Sequence, residues 1–146
     1  MPTRILYTMI RVGNLDRSVT FYRDALGMQE IRRETYTKER FTLVFMGYGS
    51  EEKNALIELT YNWDKDNYEQ GSGFGHLALE VPDVYAACSR LSAMGVSVVR
   101  DPGPMNFPPD ESDHGEIIAF IEDPDGYKVE LVEAETENNM NEGTHP

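Results

Sequence analysis

The fold is decided by the stretch Glu122-Asp123-Pro124-Asp125-Gly126-Tyr127-Lys128-Val129-Glu130-Leu131-Val132, which joins a turn signal to a strand signal. Pro124 and Gly126 are typical of a tight polar turn. The residues after the turn alternate, so that Val129 and Leu131 face one side of a strand and Glu130 faces the other. A carboxylate in mid-strand lies either on a wet outer face or inside a functional cavity, and this strand alone leaves both interpretations open.

Composition limits the class of protein and its partners. The chain has 146 residues and an apolar fraction of 40%, which fits one globular domain with a real core. The net charge of −13 disfavours nucleic acid and anionic membranes as main partners. No apolar run is long enough to cross a membrane, and the first residues lack a signal-peptide pattern. The single Cys88 excludes an internal disulfide, so we expect a reducing cytoplasm.

The pattern of turns and apolar residues repeats once along the chain. The first copy has a helix that starts at Asn14 or Asp16 and ends at Gly27. One strand precedes this helix and three follow it, in the order Ile5–Val12, Gln29–Glu34, Phe41–Gly47 and Asn54–Tyr61. The second copy has a helix from Pro82-Asp83 to Gly95 and these strands: Gly75–Val81, Val96–Arg100, Glu116–Ile121 and Tyr127–Val132. Two copies of one unit are a stronger signal than any single propensity.

The repeat predicts an α+β fold made of two tandem β-α-β-β-β modules, at about residues 4–63 and 73–133 of a single domain, 1–133. We expect each module to be a curved mixed sheet with helices on one face and a cupped site on the other. Residues 134–146 are polar and without periodicity, which predicts a flexible acidic tail. His145 in this tail is expected to be inert.

Matching the two modules brings together residues that suit a metal. The match places Tyr7 opposite His76 and Glu58 opposite Glu130, with Arg11 on the same sheet face. One His and two carboxylates are a plausible set for a divalent metal with open positions. The simpler interpretation is a structural or exposed His and two glutamates on a wet face, and the residues alone leave both open.

The chain also resembles a known family. The segments that carry the resemblance are Met9-Ile10-Arg11-Val12-Gly13-Asn14-Leu15-Asp16-Arg17-Ser18, Phe21-Tyr22, Leu56-Ile57-Glu58-Leu59-Thr60-Tyr61-Asn62-Trp63, Gly73-Phe74-Gly75-His76-Leu77-Ala78-Leu79 and Phe120-Ile121-Glu122-Asp123-Pro124-Asp125-Gly126-Tyr127-Lys128-Val129-Glu130-Leu131. They resemble glyoxalase I (lactoylglutathione lyase) of the bacterial type, in the vicinal-oxygen-chelate superfamily. The resemblance runs from about residue 5 to residue 133, which is nearly the whole predicted domain.

The resemblance implies a reaction, a metal and a set of residues. The substrate would be the hemithioacetal of glutathione and methylglyoxal, converted through an enediolate to S-lactoylglutathione. Glu58, His76 and Glu130 match metal ligands for a divalent ion, nickel first and cobalt or zinc as alternatives. Glu130 is expected to be the general base, with Glu58 as its second carboxylate. Arg11 and Asn62 match residues that hold the γ-glutamyl end of glutathione. The resemblance further implies a homodimer whose site lies between the N-terminal module of one chain and the C-terminal module of the other.

The sequence departs from the family at Tyr7, where the family has its first metal ligand, a His. A phenol has a reference pKa of about 10 and must lose a proton to bind a metal well. Three interpretations stay open. Tyr7 ligates weakly or a water replaces it; the site has lost metal affinity; or the protein is a paralogue with another activity.

A second departure is the segment 102–116, which is rich in proline and acidic residues and is longer than in bacterial relatives. Asn106 and Phe107 stand where a Lys that holds the glycyl end of glutathione is expected. His114 in this loop is either an exposed residue or a substitute ligand. Two alternatives to glyoxalase I follow: an enzyme that acts on another thiol adduct, and a small-molecule binding protein without a metal.

Overall fold

The computed structural model describes residues 2–135. The chain divides into two compact units, Met1–Gly71 and Ser72–Pro146, which we call the N-terminal half and the C-terminal half. Of the predicted tail, 134–146, the structure describes Ala134 and Glu135, so the predictions of a flexible tail and of an inert His145 concern residues outside the described part.

The N-terminal half is a four-stranded mixed sheet with one helical stretch. Its elements are β1 (Tyr7–Arg11), α1 (Leu15–Thr20), a π-helical segment (Phe21–Ala25), β2 (Gln29–Tyr36), β3 (Phe41–Gly47) and β4 (Leu56–Asn62). The strand order is β1-β4-β3-β2, in which β1 runs parallel to β4 and the other neighbours are antiparallel. The helix therefore connects β1 to the far edge of the sheet.

The helical stretch begins and ends as its sequence dictates. The side chain of Asn14 accepts a hydrogen bond from the Arg17 backbone N–H at 3.0 Å, so Asn14 rather than Asp16 is the N-cap. Gly27 follows the stretch with φ +74°, a conformation that glycine adopts without strain. Val19 and Tyr22 are buried and contribute to the core.

The C-terminal half repeats this plan. Its elements are β5 (His76–Val81), α2 (Val84–Ala93), β6 (Val98–Pro104), β7 (Ile117–Glu122) and β8 (Lys128–Glu133). The strand order is β5-β8-β7-β6, again with one parallel pair, β5 and β8. Asp83 caps α2 by accepting a hydrogen bond from the Ala86 N–H at 3.0 Å.

The predicted fold of two β-α-β-β-β modules is confirmed. Within each half, the sheet buries one face: Ile10, Val44 and Leu59 in one, Val129 and Leu131 in the other. We call the opposite sheet face the site face. β6 begins later than predicted and continues to Pro104, because register irregularities on both sides of Arg100 let it pass through Pro102. Among residues 2–135, no helix is long and apolar enough to cross a membrane.

Candidate metal centre

His76 and Glu130 lie side by side on the site face of the C-terminal half. Nε2 of His76 is 3.2 Å from Oε1 of Glu130. The two residues come from neighbouring parallel strands, since His76 pairs with Lys128 and Ala78 pairs with Glu130. The Glu130 side chain is 17% exposed and that of His76 is 40% exposed, so both donors are accessible from the site face. An imidazole nitrogen and a carboxylate oxygen at this distance can bind one divalent cation.

The turn before β8 sets the position of Glu130. The buried carboxylate of Asp123 accepts hydrogen bonds from the N–H groups of Asp125 and Tyr127, both at 2.9 Å. Gly126 has φ +85°, in the left-handed region, and its N–H donates to the Asp123 carbonyl at 3.0 Å. The Asp-Pro-Asp-Gly pattern is therefore a side-chain-organised turn that fixes where the strand begins.

Aromatic contacts link β5 to nearby strands beside the site. The rings of Phe74 and Tyr127, which precede β5 and β8, meet edge to face with centroids 5.5 Å apart. The His76 ring packs edge-on against Phe120, with centroids 5.0 Å apart and an interplanar angle of 82°. Phe120 is in turn the register partner of Glu130 across β7 and β8. The imidazole thus has a packed side that orients it toward the carboxylate.

Glu58 occupies the equivalent place in the N-terminal half. It pairs with Met9 of β1 and with Phe45 of β3, as Glu130 pairs with Ala78 and Phe120. Its Oε2 accepts a hydrogen bond from the Thr60 hydroxyl at 3.0 Å. The predicted equivalence of Glu58 and Glu130 therefore holds in strand register.

Tyr7 lies on the same face as Glu58, with its ring against Phe45. The two centroids are 4.8 Å apart and the rings meet at 61°. The guanidinium of Arg32 lies over this aromatic pair and is closer to Phe45. Its central carbon is 3.7 Å from the centroid of the Phe45 ring and 5.9 Å from that of the Tyr7 ring.

Two carboxylates fix the guanidinium of Arg32. Its Nε donates to Glu51 at 2.7 Å, and Nη1 donates to Glu34. The hydrogen bond to Glu51 and the charges of both carboxylates raise the pKa of Arg32 above its ordinary value, so the guanidinium stays charged. Composition and motif spacing alone do not distinguish Arg32, Phe45 or Phe120 as site residues. The internal repeat contained a signal for the two phenylalanines, because it matches Phe45 with Phe120.

Arg11 and Asn62 lie together at one end of the N-terminal sheet. Arg11 pairs with Thr60, and Asn62 is the next residue of β4 on the same face. The Asn62 amide donates to the Tyr68 hydroxyl at 2.9 Å. A guanidinium and an amide at the carboxyl ends of parallel strands can recognise a carboxylate and an amino group of a small ligand.

The segment 102–116 is anchored at its start by Arg100. Its guanidinium donates to four backbone carbonyls at 2.8 to 3.0 Å: those of Asp101, Gly103, Pro104 and Ile118. His114 is exposed, and its main chain exchanges hydrogen bonds with the Ser112 hydroxyl. Cys88 is buried, and burial raises the pKa of its thiol, which suits a core residue and not a nucleophile.

The described residues of each half supply some of the ligands that a divalent metal needs, but not a complete set. Among residues 2–135, no three His, Cys, Asp or Glu side chains gather closely enough to hold an ion. The C-terminal half supplies the preassembled pair of His76 and Glu130, and the N-terminal half supplies Glu58 in the equivalent position. This mixture of nitrogen and carboxylate donors suits a divalent transition metal.

Comparison with known proteins places the chain in a family. The model of the Glyoxalase/Bleomycin resistance protein/Dioxygenase superfamily matches residues 4–131. The chain is 51% identical over 136 residues to the probable lactoylglutathione lyase of Synechocystis sp., covering 92% of this chain and 98% of the relative. It is 50% identical over 131 residues to the lactoylglutathione lyase of Neisseria meningitidis, covering 89% and 90%.

Solved structures agree with these relatives. Glyoxalase I from Zea mays superposes with a TM-score of 0.83 at 38% identity, over 91% of this chain and 45% of the maize chain, so this chain spans about half its length. The trypanothione-dependent glyoxalase I of Leishmania major has a TM-score of 0.78 at 37% identity, over 97% of this chain and 92% of that chain. By sequence and by fold, the chain belongs to the lactoylglutathione lyases, or glyoxalase I enzymes, of the glyoxalase/bleomycin resistance protein/dioxygenase superfamily.

Proposed function

We propose that the protein is a metal-dependent glyoxalase I that isomerises the hemithioacetal of glutathione and methylglyoxal to S-lactoylglutathione. The observation that carries this proposal is the contact of 3.2 Å between His76 and Glu130, in a chain about half identical to lactoylglutathione lyases. This contact supports a pair of metal donors and a general base at one point of the sheet.

Glu58, His76 and Glu130 are the proposed metal ligands, and Tyr7 stands at the position where the family has its first ligand, a His. Nickel is the proposed ion, and cobalt or zinc share the same preference for nitrogen and carboxylate donors. When bound, the divalent cation supplies Lewis-acid stabilisation of the negative charge that develops on the substrate oxygens.

Glu130 is the proposed general base. Its carboxylate removes the proton from the hemithioacetal carbon that bears sulfur, which generates the enediolate of the substrate, and returns that proton to the neighbouring carbon. The hydroxyl proton of the first carbon passes to the oxygen of the second, which leaves a thioester and a new hydroxyl group. The packed His76 ring and the fixed β8 turn restrict where this carboxylate lies, and such positioning is what makes proton transfer efficient. Glu58 serves as the second carboxylate.

Arg11 and Asn62 are proposed to bind the γ-glutamyl end of glutathione. The guanidinium suits the α-carboxylate, and the Asn62 amide, placed by Tyr68, suits the adjacent polar groups. The names of the relatives support the glutathione adduct as substrate. We place the protein in the cytoplasm, where reduced thiols are abundant and Cys88 stays free.

A homodimer is the proposed assembly, with a site formed by the N-terminal half of one chain and the C-terminal half of its partner. Met9 and Leu6 support this proposal, because these apolar side chains on or beside the edge strand β1 are 40% and 46% exposed. Apolar groups along an open strand edge favour association with another chain.

The proposal is tested by one assay combined with metal analysis. The purified protein is loaded with Ni²⁺, Co²⁺ or Zn²⁺, and formation of S-lactoylglutathione from the glutathione–methylglyoxal adduct is followed. Adducts of the same aldehyde with other thiols are assayed in parallel. Turnover that requires metal and prefers glutathione supports the proposal; metal-loaded protein that turns over only another adduct identifies the paralogue, and protein without metal or turnover points to a binding protein.

A further inference from the structure

Tyr7 and His76 occupy the same place in the two halves. His76 lies two residues before Ala78, the partner of Glu130, and Tyr7 lies two residues before Met9, the partner of Glu58. Both rings also pack edge-on against the equivalent phenylalanine, at 5.0 Å for His76 on Phe120 and 4.8 Å for Tyr7 on Phe45. The two side chains can therefore be compared position for position.

Their polar atoms cannot coincide, although their backbones and packing correspond. The phenol oxygen of a tyrosine extends beyond the para carbon, farther from the backbone than either nitrogen of an imidazole. Both rings contact the equivalent phenylalanine, so from the same backbone position the longer tyrosine side chain carries its hydroxyl oxygen beyond the reach of an imidazole nitrogen. Among residues 2–135, the side chain that hydrogen-bonds the Glu58 carboxylate is Thr60 and not Tyr7, whereas Nε2 of His76 lies beside Glu130.

The carboxylates of Glu130 and Glu58 have different partners. Glu130 is 3.2 Å from the imidazole of His76, whereas Glu58 accepts a hydrogen bond from Thr60 at 3.0 Å. The Glu58 carboxylate is therefore oriented by a neighbour on its own strand, without a contribution from Tyr7.

The equivalent arginines of the two halves also differ in their contacts. Arg32 pairs with Phe45 and Arg100 pairs with Phe120 in the strand register, so the two are equivalent. Arg100 turns to backbone carbonyls, but Arg32 stays over the aromatic pair and is tied there by Glu51. The guanidinium secures the Phe45 ring on which Tyr7 rests, so the Tyr7 side chain is part of a packed aromatic and cationic cluster.

We infer that Tyr7 lies outside the coordination shell of the metal, so that the N-terminal half contributes Glu58 alone while the C-terminal half contributes both His76 and Glu130. This inference rests on the proposed function, because it presupposes that the protein binds a metal. It assigns Tyr7 a packing role and makes the C-terminal half the main metal-binding element.

The test measures Co²⁺ binding, not activity. Dissociation constants come from competition with a chelator, and the visible absorption of bound Co²⁺ reports its coordination. The Tyr7→Phe variant removes only the hydroxyl and keeps the ring on Phe45, while His76→Gln removes a proposed ligand. Since loss of even an outer partner of a metal ligand costs about 10- to 100-fold in affinity, a true ligand is easily recognised.

We expect Tyr7→Phe to bind Co²⁺ within about twofold of the unmodified protein with the same spectrum, and His76→Gln to lose about tenfold or more. A loss of about tenfold in Tyr7→Phe, with unchanged circular dichroism, overturns the inference and leaves the proposed function standing. An unmodified protein that binds no Co²⁺, or a His76→Gln variant that binds it normally, overturns the proposed metal centre and this inference with it.

Discussion

Nε2 of His76 lies 3.2 Å from Oε1 of Glu130, and the two side chains come from adjacent parallel strands that are not consecutive in the chain. The crossover through α2, β6 and β7 brings them together, so the site depends on the topology of the whole half. The His76 ring also packs against Phe120, the register partner of Glu130. This packing keeps the imidazole beside the Glu130 carboxylate, although Glu130 lies among aliphatic residues of its own strand.

The first prediction concerns the general base. Glu130→Gln keeps the size of the side chain but cannot accept the substrate proton, so we expect kcat to fall by about a hundredfold to ten-thousandfold. The measurement is the initial rate of S-lactoylglutathione formation by metal-loaded protein. Glu39→Gln, in the exposed turn between β2 and β3, is the matched control and should retain full activity. A Glu130→Gln enzyme with near-normal turnover would remove Glu130 from this role.

The second prediction concerns metal and stability. A ligand that binds only the folded state stabilises it by about 2.7 kcal/mol at a concentration of 100 times its Kd, which raises the Tm by roughly 5 to 10 °C for a chain of this size. Differential scanning calorimetry with and without Ni²⁺ measures the shift. The His76→Gln variant should show little shift, because it lacks one of the paired donors. Equal shifts in both proteins would mean that the metal binds elsewhere.

The sequence predicted the faces of the strands well, because alternation is a local property. Val129 and Leu131 are buried while Glu130 lies on the site face, and the register partners of Glu58 are equivalent to those of Glu130. The course of β6 was not predictable, because it depends on two irregularities and on the carbonyls gathered by Arg100. The placement of Arg32 over Phe45 also escaped sequence analysis, since it requires the strand order to be known.

The third prediction concerns the turn that positions Glu130. Gly126 has φ +85°, and a side chain at this position adds strain of about 1 to 2 kcal/mol. Gly126→Ala should therefore lower the free energy of unfolding by this amount in urea denaturation. Gly73→Ala is the control, because a Cβ at Gly73 meets no atom within 4 Å and its φ is not positive. Its effect should stay within about 0.5 kcal/mol. If both variants unfold alike, the left-handed turn does not constrain β8.

The last prediction concerns the proposed dimer and uses two inactive variants. If each site combines the N-terminal half of one chain with the C-terminal half of its partner, Glu58→Gln and Glu130→Gln subunits can complement each other. In a mixed dimer, one site then carries both substitutions and the other carries neither. Random pairing of equal amounts makes about half of the dimers mixed, so about a quarter of all sites are intact and about a quarter of the activity of the unmodified enzyme is restored. The subunits are mixed under mild denaturation, refolded with metal and assayed beside each variant refolded alone. A site built within one chain gives no such recovery, because every site then retains one substitution.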